Sequence, residues 1–256
     1  MKTIILCGGL GTRMKEETEF KPKPLVLIGG KPILWHIMKI YAYYGYNEFV
    51  LALGYRENMI KDYFLRMKAF LKDFTLDTLN QKISFHDEGD DFKITFVDTG
   101  LESQTGERIL RVKRYITEDN FMVTYGDGVS YINIKNLVNF HKQQKTIGTI
   151  TGVHPYSKYG VVKINQENNL VVNFKQKPLT YDYVSGGFMV FKKEAFDYFD
   201  NEEMENGLIK IANQNQLSIF KHDGFWKAMD TYREVKEMNE LWKSTEPWSV
   251  WKKNNK

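Results

Sequence analysis

Thr3-Ile4-Ile5-Leu6-Cys7-Gly8-Gly9-Leu10-Gly11-Thr12-Arg13 is the stretch whose reading decides the fold. Five residues of strand type run straight into a glycine-rich turn. A short apolar run bounded by glycines is the mark of a buried strand. The glycines let the backbone fold tightly around phosphate groups and aim N–H donors at them. Arg13 adds a guanidinium that can grip a phosphate in two places. The spacing matches neither the dinucleotide fingerprint G-x-G-x-x-G nor the P-loop G-x-x-x-x-G-K-[ST]. By itself the segment reads equally as a phosphate cradle and as a plain turn.

Working outward, Pro22 and Pro24 punctuate a loop, and Gly29-Gly30-Lys31-Pro32 makes a turn. Ile33 to Tyr44 reads as an amphipathic helix, Phe49 to Leu53 as a second buried strand, and Met59 to Phe70 as a second helix. This β-α-β-α order predicts an α/β fold with a parallel sheet and crossover helices. Further on, the pattern predicts short strands at Ile83 to Phe85 and Ile94 to Val97, a helix from Arg108 to Tyr115, and a strand from Phe121 to Tyr125. After a helix at Lys135 to Gln144 the chain turns strand-rich. Strands are expected at Gly148 to Val153, Gly160 to Ile164, Leu170 to Phe174 and Gly187 to Phe191. Helices at Glu194 to Phe199 and Gly207 to Asn213, a strand at Leu217 to Lys221 and a helix at Thr231 to Trp242 complete the pass. Pro247, Trp248 and Trp251 read as a docked aromatic end. No repeat, low-complexity segment or linker interrupts residues 1–256, so one domain is expected.

Composition narrows the function classes. The 256 residues are 27% charged and 42% hydrophobic, ordinary for a globular protein. The net charge of +4 and pI near 8.8 come without any Lys/Arg block. That balance suits phosphorylated small molecules and points away from nucleic acid. One cysteine, Cys7, excludes an intramolecular disulfide and suggests a reducing compartment. No run approaches the roughly 18 apolar residues that span a bilayer, and the N-terminal apolar stretch is too short for a signal peptide. A cytoplasmic protein with no membrane partner is expected.

Three further segments carry chemistry. Lys21-Pro22-Lys23-Pro24 is a loop stiffened by prolines. It holds a lysine where an ammonium would suit a triphosphate, though alone it reads as a solvated basic loop. Tyr125-Gly126-Asp127-Gly128 follows a strand. Ligands of open α/β sheets bind at the carboxyl ends of strands, and a carboxylate there can hold Mg²⁺ against phosphates. An Asp-Gly turn is the plain alternative. Asp230, in Trp226-Lys227-Ala228-Met229-Asp230-Thr231, reads either as a second carboxylate on that metal or as the N-cap of the next helix, with Glu234 in its first turn. Together the four segments form the parts list of nucleotidyl transfer. A glycine loop cradles the triphosphate, Arg13 and Lys23 neutralise it, and two carboxylates hold Mg²⁺. Such a reaction needs positioning and charge stabilisation, with no protein nucleophile.

At this point the chain resembles the sugar-phosphate nucleotidyltransferases. Within them it is most similar to the glucose-1-phosphate cytidylyltransferases (CDP-glucose pyrophosphorylases). The glycine loop, Lys21 to Pro24 and Gly29 to Ile33 carry the broader resemblance. The narrower one rests on Lys31 to Met38, Val97 to Gly100, Thr105-Gly106-x-Arg108 with Arg111-Val112, Thr124 to Val129, and Gly224 to Thr231. The motifs stand in matching order from Met1 to about Trp251. The resemblance implies a Rossmann-like mixed sheet flanked by helices, of the nucleotide-diphospho-sugar transferase type. It also implies CTP as donor, a phosphorylated sugar as acceptor, Mg²⁺, a homo-oligomer, and a place in nucleotide-sugar biosynthesis of the kind that feeds surface polysaccharides. By matching positions, Leu6, Gly8, Gly9, Gly11, Thr12 and Arg13 would line the triphosphate site. Lys23 would contact phosphates at the reacting centre, and Thr105, Arg108 and Gly126 would hold the cytidine. Asp127 and Asp230 would take Mg²⁺. Lys177 would grip the acceptor phosphate, in an acceptor-binding part spanning mainly 150–225 that also includes Gln176, Ser185 and Gly186, with Tyr125 beside it.

The departures cluster there. The family usually reads F-x-E-K-P and N-G-G-F. This chain has Phe174-Lys175-Gln176-Lys177-Pro178 and Ser185-Gly186-Gly187-Phe188. Gln for Glu removes a charged hydrogen-bond acceptor, and Ser for Asn shortens the reach. Glu107, where Gly is usual, sits beside the implied cytidine site. Two readings of the acceptor stay open. It is glucose 1-phosphate, reached in part through water, or a different sugar or polyol phosphate, since sites built for particular hydroxyls discriminate strongly. A uridylyl- or thymidylyltransferase is the alternative within the same chemistry. An inactive nucleotide-binding regulatory module would predict loss of Arg13, Lys23, Asp127 or Asp230, and all four are present. A glycosyltransferase would bring a D-x-D motif where this chain has Gly126-Asp127-Gly128.

Overall fold

In Thr3–Leu6 (β1), Ile4 and Leu6 point to one side of the sheet and Ile5 to the other, and all three are buried. A strand buried on both faces belongs in the middle of a helix-covered sheet, and the computed structural model, which describes residues 1–14, 18–86 and 89–255, places it there. β1 pairs in parallel with Glu48–Leu53 (β2) on one side and with Asn120–Tyr125 (β6) on the other. β2 pairs in parallel with Lys93–Asp98 (β5). Beyond β6 lies Val184–Lys192 (β11), which runs antiparallel to it. Next come Gly148–Val153 (β8) and Leu217–His222 (β12), parallel to each other. The seven-stranded order is therefore β12-β8-β11-β6-β1-β2-β5. The expected mixed α/β sheet is present, with β11 the reversed strand.

The chain leaves β1 for β2 and β5 on one side and returns to β6 on the other. The strand order thus reverses between β1 and β6, where Leu6 lies opposite Tyr125. Loops diverge at such a point and leave a crevice at the strands' carboxyl ends. The two segments that meet there are Cys7 to Thr12 and Gly126 to Gly128.

Helices Ile33–Tyr43 (α1), Glu57–Leu71 (α2), Thr105–Val112 (α3), Ile134–Gln144 (α4), Met204–Asn213 (α5) and Tyr232–Ser244 (α6) cover the sheet. Two cores result, one around Ile5, Leu51 and α1, the other around Ile4, Val50 and Phe121. The helix expected at Glu194 to Phe199 is a 3-10 turn, Lys193–Asp197. The strand at Lys82–Phe85 (β4) is half of a hairpin whose partner, Phe74–Asp77 (β3), alternates over only four residues and is not among the strands expected from the sequence. Gly160–Ile164 (β9) and Val171–Gln176 (β10) form a second ribbon outside the main sheet. Gly128–Ser130 (β7) pairs with Trp226–Ala228 (β13), a short ladder absent from the sequence reading. No helix among the described residues is long and apolar enough to cross a membrane.

The aromatic end docks as expected. Trp248 is fully buried, and its indole N–H donates to His36 Nδ1 at 3.2 Å. His36 Nε2 in turn donates to the Ile28 carbonyl at 2.9 Å. Burial lowers the His36 pKa from 6.5 to about 4. The unfolded chain therefore takes up a proton below pH 6.5 that the folded protein refuses until about pH 4. Stability is complete above pH 6.5 and falls by about 3 kcal/mol as the pH drops to 4. Denaturant unfolding of His36→Phe is expected to show lower stability than wild type at pH 7 but a smaller loss between pH 7 and 4.5. Equal losses in the two proteins would remove His36 as the source. His141, also lowered to about 4 by burial, and His222, lowered by burial as well, contribute acid sensitivity that the variant retains.

Candidate active site

The crevice between β1 and β6 is a cavity of about 360 Å³. Leu6, Cys7, Gly8, Gly9, Gly11 and Thr12 line it together with Thr105 and Arg108, and Tyr125, Gly126, Asp127, Lys23 and Asp230 complete the lining. Of the residues expected at the nucleotide and metal, the structure brings together all but one. The side chain of Arg13 lies outside the described residues. Ser103 and Gln104, which the sequence did not single out, complete the wall at the entry to α3.

The glycine loop is tight because Arg108 fills the space behind it. A Cβ at Gly8 would stand 2.1 Å from Arg108 Nη1, so any side chain there collides with the guanidinium. Arg108 is only 3% exposed. Nη1 donates to the Leu53 and Gly100 carbonyls and to Thr99 Oγ1, and Nη2 donates to the Gly8 and Leu101 carbonyls. These acceptors stand at the carboxyl ends of β1, β2 and β5. Arg108 ties the three strand ends into one rim, while its edge still reaches the cavity wall. Glu107 is not on that wall. Its carboxylate turns to Arg111 at 2.6 Å, one helical turn on.

At the far end, Lys23 opens a 3-10 turn, Lys23–Leu25, fixed by Pro22 before it and Pro24 within it. Its ammonium lies 2.6 Å from Asp127 Oδ2 and 2.8 Å from Asp230 Oδ1. Burial works against this charge, but the two carboxylates outweigh it, and the Lys23 pKa stands above the ordinary lysine value. The β7–β13 ladder brings the two aspartates together. Ala228 lies opposite Gly128, and the Met229 N–H donates to the Asp127 carbonyl at 2.9 Å.

The capping reading of Asp230 is corrected. Thr231 is the N-cap of α6, its hydroxyl accepting from the Glu234 N–H. Glu234 Oε2 accepts from the Thr231 and Asp230 N–H groups at 2.8 and 2.6 Å, completing a capping box. Because the neighbour takes the cap, the Asp230 side chain is turned to Lys23. Cys7 lines the wall without being a nucleophile. Burial first, then Asp127, raises its thiol pKa far above the ordinary value, which excludes a thiolate.

The family model described as nucleotidyl transferase (NTP_transferase) matches residues 2–245. The chain belongs to the nucleotidyl transferase family. It is 41% identical over 260 aligned residues to a protein of Bacillus subtilis named a probable glucose-1-phosphate cytidylyltransferase, covering 98% of this chain and all of the relative. It is 40% identical to the glucose-1-phosphate cytidylyltransferase of Salmonella typhimurium, with 98% and 100% covered. In fold it resembles the crystal structure of HddC from Yersinia pseudotuberculosis complexed with GMP-PN, at a TM-score of 0.69 and 22% identity over 94% of this chain and 99% of the other.

In this nucleotidyltransferase a second cavity, of about 450 Å³, adjoins the first and shares Gln104, Thr105, Tyr125, Asp127 and Asp230 with it. Ser185 and Gly186, which the resemblance implied for the acceptor, line it, and so do Glu203, Glu205 and Trp226, which the sequence did not single out. Gln176 and Lys177 line neither cavity. Gln176 ends β10, opposite Gly160 on the outer ribbon, and Lys177 follows it in a left-handed turn with φ 47°. Gly187, with φ 79°, is where β11 bends around Tyr125. A Cβ there would lie 2.7 Å from the Tyr125 ring.

Proposed function

We propose that this nucleotidyltransferase transfers a cytidylyl group from CTP to a sugar phosphate, giving a CDP-sugar and pyrophosphate. The observation that carries the reading is the Lys23 ammonium held between Asp127 and Asp230 at the end of a glycine-lined cavity. A phosphate oxygen of the acceptor attacks the α-phosphorus, and the bond from that phosphorus to the bridging oxygen of the leaving pyrophosphate breaks. The full-length relatives named for glucose 1-phosphate and cytidylyl transfer support CTP and glucose 1-phosphate.

The residues fit Mg²⁺. Asp127 and Asp230 offer hard oxygen donors a lysine ammonium apart, and Mg²⁺ takes one or two carboxylates and completes its shell with phosphate oxygens and water. Once bound there, it would supply charge neutralisation on the phosphates. The chain's own part is to bind and orient. N–H groups of the Gly8 to Thr12 loop cradle the triphosphate, and Lys23 turns toward the phosphates. Thr105 and Gly126 shape the nucleoside wall, and Arg108 holds that wall's backbone in place.

That Gln176 and Lys177 lie off the cavities favours a second acceptor reading, a different sugar phosphate or a polyol phosphate. Pyrophosphate release measured with each nucleoside triphosphate against a panel of sugar and polyol phosphates tests both halves. CTP is expected to lead. Turnover with UTP or dTTP above that with CTP would sink the cytidylyl assignment, and ribitol phosphate outrunning glucose 1-phosphate would select the second acceptor reading.

A further inference from the structure

Asp127 and Asp230, the two carboxylates that hold Lys23, mark the end of the adjoining cavity where phosphate chemistry would take place. Its other end has a different character. Trp226 donates its indole N–H to the Gly186 carbonyl at 2.8 Å, which fixes the ring as a wall. The same cavity is lined by Glu203, at the N-cap of α5, and by Glu205 in its first turn. The Tyr125 hydroxyl donates to Glu205. No lysine or arginine lines this cavity among the described residues.

The turn that carries these carboxylates is fastened to the nucleotide wall. The Met204 N–H donates to Thr105 Oγ1 at 2.7 Å, and the Gly106 N–H donates to the Glu202 carbonyl at 2.9 Å. A Cβ at Gly106 would stand 2.7 Å from the Glu202 carbonyl oxygen, so only glycine permits the contact. Glu203 and Glu205 flank Met204 and are placed by that latch, not by the outer ribbon that bears Gln176.

We propose that Glu205, assisted by Glu203, is the group that recognises the acceptor's hydroxyls, and that it restricts the acceptor to a phosphate with a neutral, hydroxyl-rich body. This rests on the sugar-phosphate nucleotidyltransferase reading above. A carboxylate accepts strong hydrogen bonds from hydroxyl groups. An acceptor that carries a carboxylate of its own would place like charges together in a cavity with no cation on its lining. The Tyr125 contact takes part of the Glu205 carboxylate and leaves the rest for the ligand.

The test uses the full chain and steady-state pyrophosphate release with CTP, glucose 1-phosphate and glucuronic acid 1-phosphate. Wild type is expected to turn over the neutral acceptor and to discriminate against the acidic one. Glu205→Gln keeps the shape and the Tyr125 hydrogen bond. It is expected to raise the KM for the neutral acceptor about 10- to 100-fold, the weight of a hydrogen bond to a charged group. The KM for CTP should stay within about twofold, and the gap between neutral and acidic acceptors should narrow by about tenfold. Glu203→Gln should shift the same ratio in the same direction. An unchanged acceptor KM in Glu205→Gln, equal rises in both KM values, or wild-type preference for glucuronic acid 1-phosphate would each overturn the proposal while the nucleotidyl reading stands. Absence of turnover by wild type with every sugar phosphate would overturn that reading, and Glu205's role with it.

Discussion

Lys23→Met is expected to lower kcat/KM for nucleotidyl transfer by roughly 100- to 1,000-fold, the usual weight of one preorganised charge-stabilising group at a reacting centre. The same variant should bind a divalent cation more tightly in the absence of nucleotide. The two effects have opposite signs because Lys23 has two positions to fill. Its ammonium lies 2.6 and 2.8 Å from the two carboxylates proposed for the metal. Its side chain is only 14% exposed, so water screens the contact weakly. Those carboxylates favour the charged lysine, which is why its pKa is raised despite burial. A cation that binds both aspartates must displace the ammonium. Removing it leaves two like charges facing one another and strengthens the site for any cation.

Titration of nucleotide-free protein with Mn²⁺, followed by electron paramagnetic resonance, reads the binding half. About tenfold tighter binding is expected in Lys23→Met, the equivalent of roughly one charge-assisted contact. Pyrophosphate release reads the catalytic half. If Lys23 were only a structural strut for the two loops, activity and Mn²⁺ affinity would fall together. If it were a solvated loop lysine, neither would move. Lys23→Arg should not restore activity, because the planar guanidinium does not fit where a compact ammonium bridges two carboxylates.

The parts of this site that could be read in the sequence are those whose function is written locally. A strand ending in glycines, a lysine between two prolines and an aspartate between two glycines each announce a backbone shape. The structure puts all three in one crevice because β1 and β6 are neighbours. What escaped the sequence depends on pairings between distant segments. The β7–β13 ladder decides that Asp230 faces Lys23, while the local pattern made it a plausible helix cap. Nothing in Thr231-Tyr232-Arg233-Glu234 alone tells which residue takes the cap until the Glu234 carboxylate is seen on both the Asp230 and Thr231 N–H groups. Glu203 and Glu205 precede the helix expected at Gly207 and belong to no motif that would single them out. Only the contact between α3 and α5 turns them toward a cavity. The outer ribbon was found at the expected residues, yet knowing its strands did not say where Gln176 would end up.

Arg108→Ala is expected to destabilise the protein by about 3–5 kcal/mol and to weaken nucleotide binding in the same variant. The guanidinium is 3% exposed and satisfies acceptors on five residues, Gly8, Leu53, Thr99, Gly100 and Leu101. Truncation leaves these oxygens without their donor and opens a void behind the glycine loop. Each buried group left unsatisfied costs about 1–3 kcal/mol, partly recovered where water enters. For a chain of this size such a loss corresponds to a fall in Tm of roughly 6–20 °C. Two roles for Arg108 then separate. A side chain that served only as a cytidine ligand would, on removal, raise the KM for CTP and leave Tm near the wild-type value. A side chain that ties the ends of β1, β2 and β5 together must lower Tm and raise the KM together, since Gly8 and the loop after it lose their support. Arg108→Lys sharpens the comparison. One ammonium has three donors on a single atom and cannot span acceptors on three strands. It is expected to recover less than half of the lost stability, measured by thermal unfolding, and to leave the KM for CTP still raised. Wild-type Tm in either variant would show that the rim holds without the guanidinium, and that Arg108 acts on the nucleotide alone.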